Sequence, residues 1–315
     1  LGMGDPQHHL GLMALTACLV AFFSATQDIV IDAYRREDLP DRELGLGSSL
    51  YIYGYRMGML LAGGGGLIMA DHMPFSRVYA IMALCLLPCL LTTWLTPEPP
   101  ASEGRPTTLR EAVVAPLAEY FRRPEALWIL AFILFYKIGD TMASAISTPF
   151  YLDIGFSKSQ VGAVVKLFGF WATIAGAGIG GITILRLGIA RCLWIFGVLQ
   201  ALSTACFAVL ARMGDQLPVL AGVISFENFS SGMGTSAFVA FMASITNKKF
   251  TATQYALLSS LMGIPRVFAA APTGFMAKVM GWEGFFIFCT LIAIPGMLML
   301  ARFAPWRGAH DAGDP

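Results

Sequence analysis

Eight ionisable side chains stand inside long apolar stretches of this 315-residue chain: the acids Asp28, Asp32, Asp140 and Glu227 and the bases Arg56, Lys137, Lys166 and Arg266. A charge at the middle of a bilayer costs at least about 2.5 kcal/mol on insertion scales, so each needs a reason to be there. The equal numbers of each sign point to mutual neutralisation in a central cavity. Asp28 and Asp32 are four apart and share a helix face with Ser24. Carboxylates that close repel one another, which suits one of them to hold or release a proton near neutral pH, as a proton-coupled carrier requires. The pair could instead tie helices together by hydrogen bonds. Lys137 and Asp140, three apart, form a ready ion pair, either structural or part of a substrate contact. Arg56 could take an anionic substrate or neutralise an aspartate. Glu227 and Asn228 lie mid-stretch, followed by Ser230, Ser231, Gly232 and Gly234, small residues that admit a substrate or a second helix. Lys166 and Arg266, without a motif around them, read as structural. Arg35, Arg36, Lys248 and Lys249 read as charges that only set orientation.

The elements that must carry these groups follow from composition. Mean hydropathy is +0.66, apolar residues make up 56% and charged residues 13%, about half the charged share of an ordinary soluble domain. A chain this apolar needs lipid as solvent for much of its area. Runs long enough to cross a bilayer fall at approximately 10–33, 44–70, 76–96, 126–150, 159–184, 191–211, 217–245, 254–279 and 284–303, nine in all. The connections after runs one, three, five and seven, with the C-terminal tail, carry thirteen Lys and Arg against three on the other side, which predicts that they are cytoplasmic. Cys18, Cys85, Cys89, Cys192, Cys206 and Cys289 all fall in apolar runs and read as small buried hydrophobes without disulfides. The first run holds two aspartates and lacks a basic lead-in, so it does not read as a signal peptide. Gly63 to Gly66 and Gly176, Gly178, Gly180 and Gly181 read as helix-packing surfaces, and Pro88, Pro265, Pro272 and Pro295 as kinks.

An internal repeat accounts for the odd helix count. Ser49 to Arg56 and Ser259 to Arg266 have equal spacing, Pro88 matches Pro295 and Pro97 matches Pro305, at offsets of 210, 207 and 208. Runs two and three thus repeat as runs eight and nine. Runs four to six lack an upstream partner, which predicts a chain without its first three helices. The full design would be six plus six helices related as parallel repeats. On this reading residues 1–96 are the last three helices of an N-terminal bundle, 97–125 a cytoplasmic linker, and 126–315 a complete C-terminal bundle with a short tail.

At the same residues the chain resembles the AmpG-type muropeptide permeases of the major facilitator superfamily. The resemblance is carried by Ser24–Ala33, with Gln27 directly before Asp28; by Gly54–Met59 around Arg56; by Glu111–Pro116; and by Tyr136–Asp140. It continues through Phe226–Asn228, Gly232–Ala240, Asn247–Lys248 and Ala252–Ser259. The loop Gly181-x-x-x-Leu185-Arg186-x-Gly188-x-x-Arg191 is similar to a degenerate copy of the superfamily's cytoplasmic loop motif, with Leu185 where an acid usually sits. The resemblance implies an all-α membrane protein of the major facilitator fold, holding the equivalents of helices 4–12 of twelve. It implies a carrier in the bacterial inner membrane, C-terminus cytoplasmic, importing anhydromuropeptides (N-acetylglucosamine–anhydro-N-acetylmuramic acid, with or without peptide) on the proton gradient for cell-wall recycling. Asp28 and Asp32 are then the proton-coupling candidates. Gln27, Arg56, Tyr136, Lys137, Asp140, Lys166, Glu227 and Asn228 are candidates for substrate contact or charge pairing. The partners are the sugar-peptide, protons and lipid. Some family members carry two further C-terminal helices beyond the equivalent of the last one here.

A related carrier for another bulky anion, such as an acyl-CoA, is the alternative. An enzyme is not expected. No stretch outside the helices exceeds the 29 residues of 97–125, too few for a catalytic domain. Neither His-Glu-x-x-His nor Gly-x-Ser-x-Gly occurs, and His8, His9, His72 and His310 lie at ends and loops. No metal site, cofactor or nucleic-acid surface is expected.

Overall fold

In lipid, long apolar stretches can satisfy their backbone polar groups only by hydrogen bonds within each segment or in a closed barrel. The computed structural model, which describes residues 9–98, 108 and 110–304, takes the first course: every regular element among the described residues is helical. The first helix, α1 (Leu10–Asp38), is followed by α2 (Leu44–Met59), which runs through a π-helical stretch, Leu60–Gly65, into α3 (Gly66–His72). Next come α4 (Phe75–Leu84), α5 (Leu87–Leu95), the short α6 (Ala115–Phe121), α7 (Ala126–Tyr136) and α8 (Ile138–Asp153). A second π stretch, Arg110–Val114, leads into α6, and α9 (Lys158–Val164) passes through a third, Val165–Gly169, into α10 (Phe170–Leu187). The last described elements are α11 (Ile189–Met213), α12 (Leu217–Ile245), α13 (Thr251–Leu261), a fourth π stretch at Pro265–Ala269, and α14 (Thr273–Phe303).

Six described spans are long and apolar enough to cross a membrane: Leu10–Asp38, Phe75–Leu95, Ala126–Asp153, Phe170–Leu187, Ile189–Met213 and Thr273–Arg302. Expected runs two, seven and eight are helical yet fall outside that set. Runs two and seven are rich in Ser and Gly, which lowers their mean hydropathy, and run eight is divided into α13 (Thr251–Leu261) and the π stretch Pro265–Ala269. Length and apolarity by themselves therefore leave the count of nine open.

The punctuation has local causes. Gly188 and Gly214 take φ of 79° and 75° at the ends of α10 and α11, a region that glycine enters without a Cβ penalty. Gly281 (φ 70°) breaks α14 where runs eight and nine were expected to part. Pro88 enters the first turn of α5 just after the chain leaves α4, Pro265 opens a π stretch, and Pro272 precedes α14. Pro295 differs: α14 passes through it as helix.

Packing is densest where glycine lets backbones touch. A Cβ on Gly176 of α10 would fall 2.1 Å from the Phe229 carbonyl oxygen of α12, and one on Gly139 of α8 only 2.0 Å from the Cys289 carbonyl oxygen of α14. These helices therefore approach more closely than any larger residue would permit. The other glycine run behaves differently: of Gly63 to Gly66 only Gly66 is buried, against Met82, and the remainder make the π stretch. The cysteines are free, but Cys18, Cys85 and Cys89 are exposed; only Cys192 and Cys289 are fully buried as expected. Lipid-facing positions satisfy a thiol as readily as a core does.

The interior holds two apolar clusters. One centres on Phe132, Tyr136, Phe196, Phe238 and Phe241, the other on Phe150, Phe207, Phe285 and Phe286. The early helices join this body at one end. There α1 packs on α13, and α2 on α10 and α12. Ser49 Oγ of α2 donates to the Ala177 carbonyl of α10 at 2.6 Å and lies 3.2 Å from Ser236 Oγ of α12. The buried residues of α1 are confined to Asp32, Ala33, Arg35 and Arg36. The packed end is thus the one bearing the connections at 39–43 and 246–250.

Candidate functional site

Above that packed end lies a cavity of about 940 Å³. Its walls come from α1, α2, α7, α8, α10, α12, α13 and the π stretch after α13. Five of the expected charged residues line it: Asp28, Asp32, Arg56, Lys137 and Asp140. Arg266, expected to be structural, lines it too. Hydroxyls fill much of the rest, among them Tyr51, Tyr55, Thr141, Ser144, Ser231 and Thr235.

Lys137 is held by a break in the helix. It sits between α7 and α8 at φ −107°, ψ 8°, and Asp140 occupies the first turn of α8. The helix dipole favours an acid there. Lys137 Nζ lies 3.7 Å from Asp140 Oδ2 and donates to Thr235 Oγ1 of α12 at 2.8 Å. The expected ion pair is present, and it also reaches a third helix.

At the cavity floor, Asp32 pairs with Arg35, whose Nη2 donates to Asp32 Oδ1 and to the Tyr255 hydroxyl, each at 2.9 Å. The Arg35 guanidinium also lies 4.7 Å from the centre of the Tyr51 ring and 5.6 Å from that of Tyr255, cation–π distances. Arg35 is 7% exposed. Reading Arg35 and Arg36 as orientation charges alone is therefore corrected. The helix continues to Asp38, so both arginines point into the protein rather than into a loop. Arg36 pairs with Asp41 at 2.5 Å and donates from Nε to the Thr246 carbonyl at 3.3 Å. Arg123 Nη1 donates to the neighbouring Ile245 carbonyl at 2.7 Å. Two cations thus cover the carbonyl end of α12, where the helix dipole is negative.

The remaining candidates lie elsewhere. Gln27 is exposed on α1 and does not line the cavity. Tyr136 is buried: its hydroxyl donates to the Leu193 carbonyl at 2.8 Å and its ring stacks on Phe238 at 5.4 Å. With Asp140 it borders a void of only about 10 Å³. Its place is core packing, because a bulky aromatic with one hydroxyl is satisfied by one carbonyl. Glu227 and Asn228 stand beside the cavity rather than in its wall; Asn228 Nδ2 donates to Glu227 Oε2 at 2.8 Å and Asn228 Oδ1 accepts from Thr173 at 3.1 Å. Lys166 belongs to the π stretch Val165–Gly169, and its side chain lies outside the described residues. Sequence reasoning passed over Arg35, Tyr51 and Tyr255 as a cluster. The signals were there: Arg35 is three residues after Asp32 and so shares its face, and Tyr255 is in the segment 252–259 already singled out.

The family model described as Major Facilitator Superfamily matches residues 1–211. Among curated proteins the chain is 42% identical over 302 residues to the anhydromuropeptide permease of Escherichia coli (strain K12), covering 95% of this chain and 62% of that one. It is 40% identical over 323 residues to an uncharacterized protein of Haemophilus influenzae (strain ATCC 51907 / DSM 11121 / KW20 / Rd), covering 99% and 76%. It is 31% identical over 303 residues to a candidate transporter, AmpG 4, of Rickettsia conorii (strain ATCC VR-613 / Malish 7), covering 94% and 73%. The chain thus spans less than two thirds of the length of its Escherichia coli relative.

Proposed function

We propose a function from one premise: the chain belongs to the major facilitator superfamily, among its AmpG-type transporters. The protein imports anhydromuropeptides into the cytoplasm, coupled to protons, from the inner membrane, with its C-terminus cytoplasmic. Residues 1–96 supply part of an N-terminal bundle, 97–125 the linker and 126–315 the C-terminal bundle.

The observation that carries this reading is the cavity. At about 940 Å³ it stands at the upper end of the roughly 300–1,000 Å³ of small-molecule sites. Cations, anions and hydroxyls share its wall, as a sugar bearing a zwitterionic peptide would need. A drug exporter would favour aromatic, apolar walls. Proton coupling draws support from Asp28 and Asp32, which both line the cavity, Asp32 being held from behind by the buried Arg35. Asp28 makes no hydrogen bond or ion pair among the described residues and faces the open cavity. The packed layer at 32–36 and 246–258 then closes the cytoplasmic side, so the cavity faces outward.

The decisive measurement is uptake of labelled anhydromuropeptide into vesicles holding the protein as the cell makes it, with and without an imposed pH gradient. Gradient-driven accumulation that collapses on adding a protonophore is expected. Equal uptake in both conditions would remove the coupling, and absence of uptake would remove the substrate.

A further inference from the structure

Three of the charges lining the cavity are already matched: Asp32 with the buried Arg35 behind it, and Asp140 and Lys137 with each other. Two wall cations are not. Arg56 and Arg266 make no hydrogen bond or ion pair among the described residues, and both border the same space. Arg56 shares the region with Glu227 and acts on it electrostatically. Among the described residues Arg266 has no such acid.

Their placement is alike. Arg56 lies in the last turn of α2, just before the π stretch Leu60–Gly65, and Arg266 lies inside the π stretch Pro265–Ala269 that follows α13. A π turn lets the helix face rotate by part of a turn, and such turns recur at functional sites. Each arginine follows a serine by seven residues, Ser49 and Ser259. Each comes from a different part of the chain, so the two guanidiniums approach one cavity from two walls. Arginine is the residue suited to this task, because its planar fork takes a carboxylate with two parallel N–H bonds. Arg56 is partly buried and Arg266 exposed at the cavity wall, so both forks are accessible to a ligand.

We propose that Arg266 is a specificity-determining residue that, with Arg56, anchors two separate carboxylates of one solute. This rests on the carrier reading above and narrows its substrate class. The preferred cargo is the sugar bearing a stem peptide, with several carboxylates, over the bare disaccharide with its single lactyl carboxylate. Arg56 holds one anion near the acids of α1 and α12, and Arg266 holds the second.

The test compares Arg266→Gln and Arg266→Lys with wild type, in uptake of peptide-bearing and peptide-free anhydromuropeptide. Losing one charge-assisted contact raises KM for the peptide-bearing form by about ten- to a hundredfold while the peptide-free form stays within about twofold. Arg266→Lys recovers part of the loss. An equal effect on both substrates, or none on either, overturns the proposal. A second readout is independent of the muropeptide: stabilisation of purified protein against heat by an acidic dipeptide with two carboxylates. If wild type transports neither sugar yet is stabilised by the dipeptide, and Arg266→Gln is not, the muropeptide reading fails and the anchor stands. If the dipeptide stabilises both equally, the anchor fails.

Discussion

Asp28 and Asp32 lie one helical turn apart, and their surroundings divide their work. Asp32 is buried and bound to Arg35, which in turn meets Tyr255 of α13 and Tyr51 of α2. Asp28 is exposed to the cavity. Replacing Asp32 by Asn leaves Arg35 buried without its counter-ion, a change of about 3–5 kcal/mol for a buried pair. The expected outcome is less folded protein in the membrane, with accumulation and exchange lowered together. Asp28→Asn, by contrast, leaves folding intact. It abolishes gradient-driven accumulation and spares exchange of internal for external substrate. Measuring both modes at matched expression separates the two roles, and full accumulation by Asp28→Asn would move the coupling to Asp32, Asp140 or Glu227.

Among the elements, the short α6 does more than connect. Glu119 accepts from Arg123 at 2.9 Å and from Gln254 of α13, and Gln254 also donates to the Pro116 carbonyl at 3.1 Å. Thr253 donates to the Ala112 carbonyl at 2.6 Å. The segment 112–123 is therefore docked along the start of α13. Burial pushes the Glu119 carboxyl up, but the hydrogen bonds from Arg123 and Gln254 outweigh it and hold the group below its ordinary value of 4.5. A carboxylate lowered on folding stabilises the folded form fully above its ordinary value and loses that contribution as pH falls through the lowered one. Thermal stability is thus expected to decline as pH falls below about 4.5 in wild type and to change less in Glu119→Gln. A parallel decline in both would place the acid-sensitive group elsewhere.

For the whole molecule, the junction of α2 with α10 and α12 must part if the cavity is to open at its other end. Rocking of one bundle against the other is the usual way such carriers expose a central site alternately. Ser49 and Ser236 meet across this junction with oxygens 3.2 Å apart. Ser49→Cys combined with Ser236→Cys should therefore form a disulfide in the closed state, arrest transport, and recover on reduction. The single variants serve as controls for loss of the hydroxyls. Undiminished transport with the disulfide formed would show that this end does not open.

Much of this was legible in the residues themselves. Hydrophobic runs of bilayer length dictate helices, because lipid offers the backbone no other partner. The cost of intramembrane charge singled out Asp28, Asp32, Arg56, Lys137 and Asp140, and all five line one cavity. Proximity along a helix also foretold the Lys137–Asp140 pair, since a three-residue spacing puts both on one face. What the sequence could not decide is which side chains meet between helices. Whether Arg35 turns inward to Tyr255 or outward to water depends on where α13 lies, 220 residues away along the chain. The same holds for Tyr136, which looked like part of a site and proved to be core, and for Arg266, which looked structural and borders the cavity. A helix presents every azimuth around its axis, and periodicity assigns a residue to a face without saying what that face meets. Only the packing of one helix against another, set here by glycine contacts such as Gly176 on Phe229, settles which faces are buried and which are left around an open space.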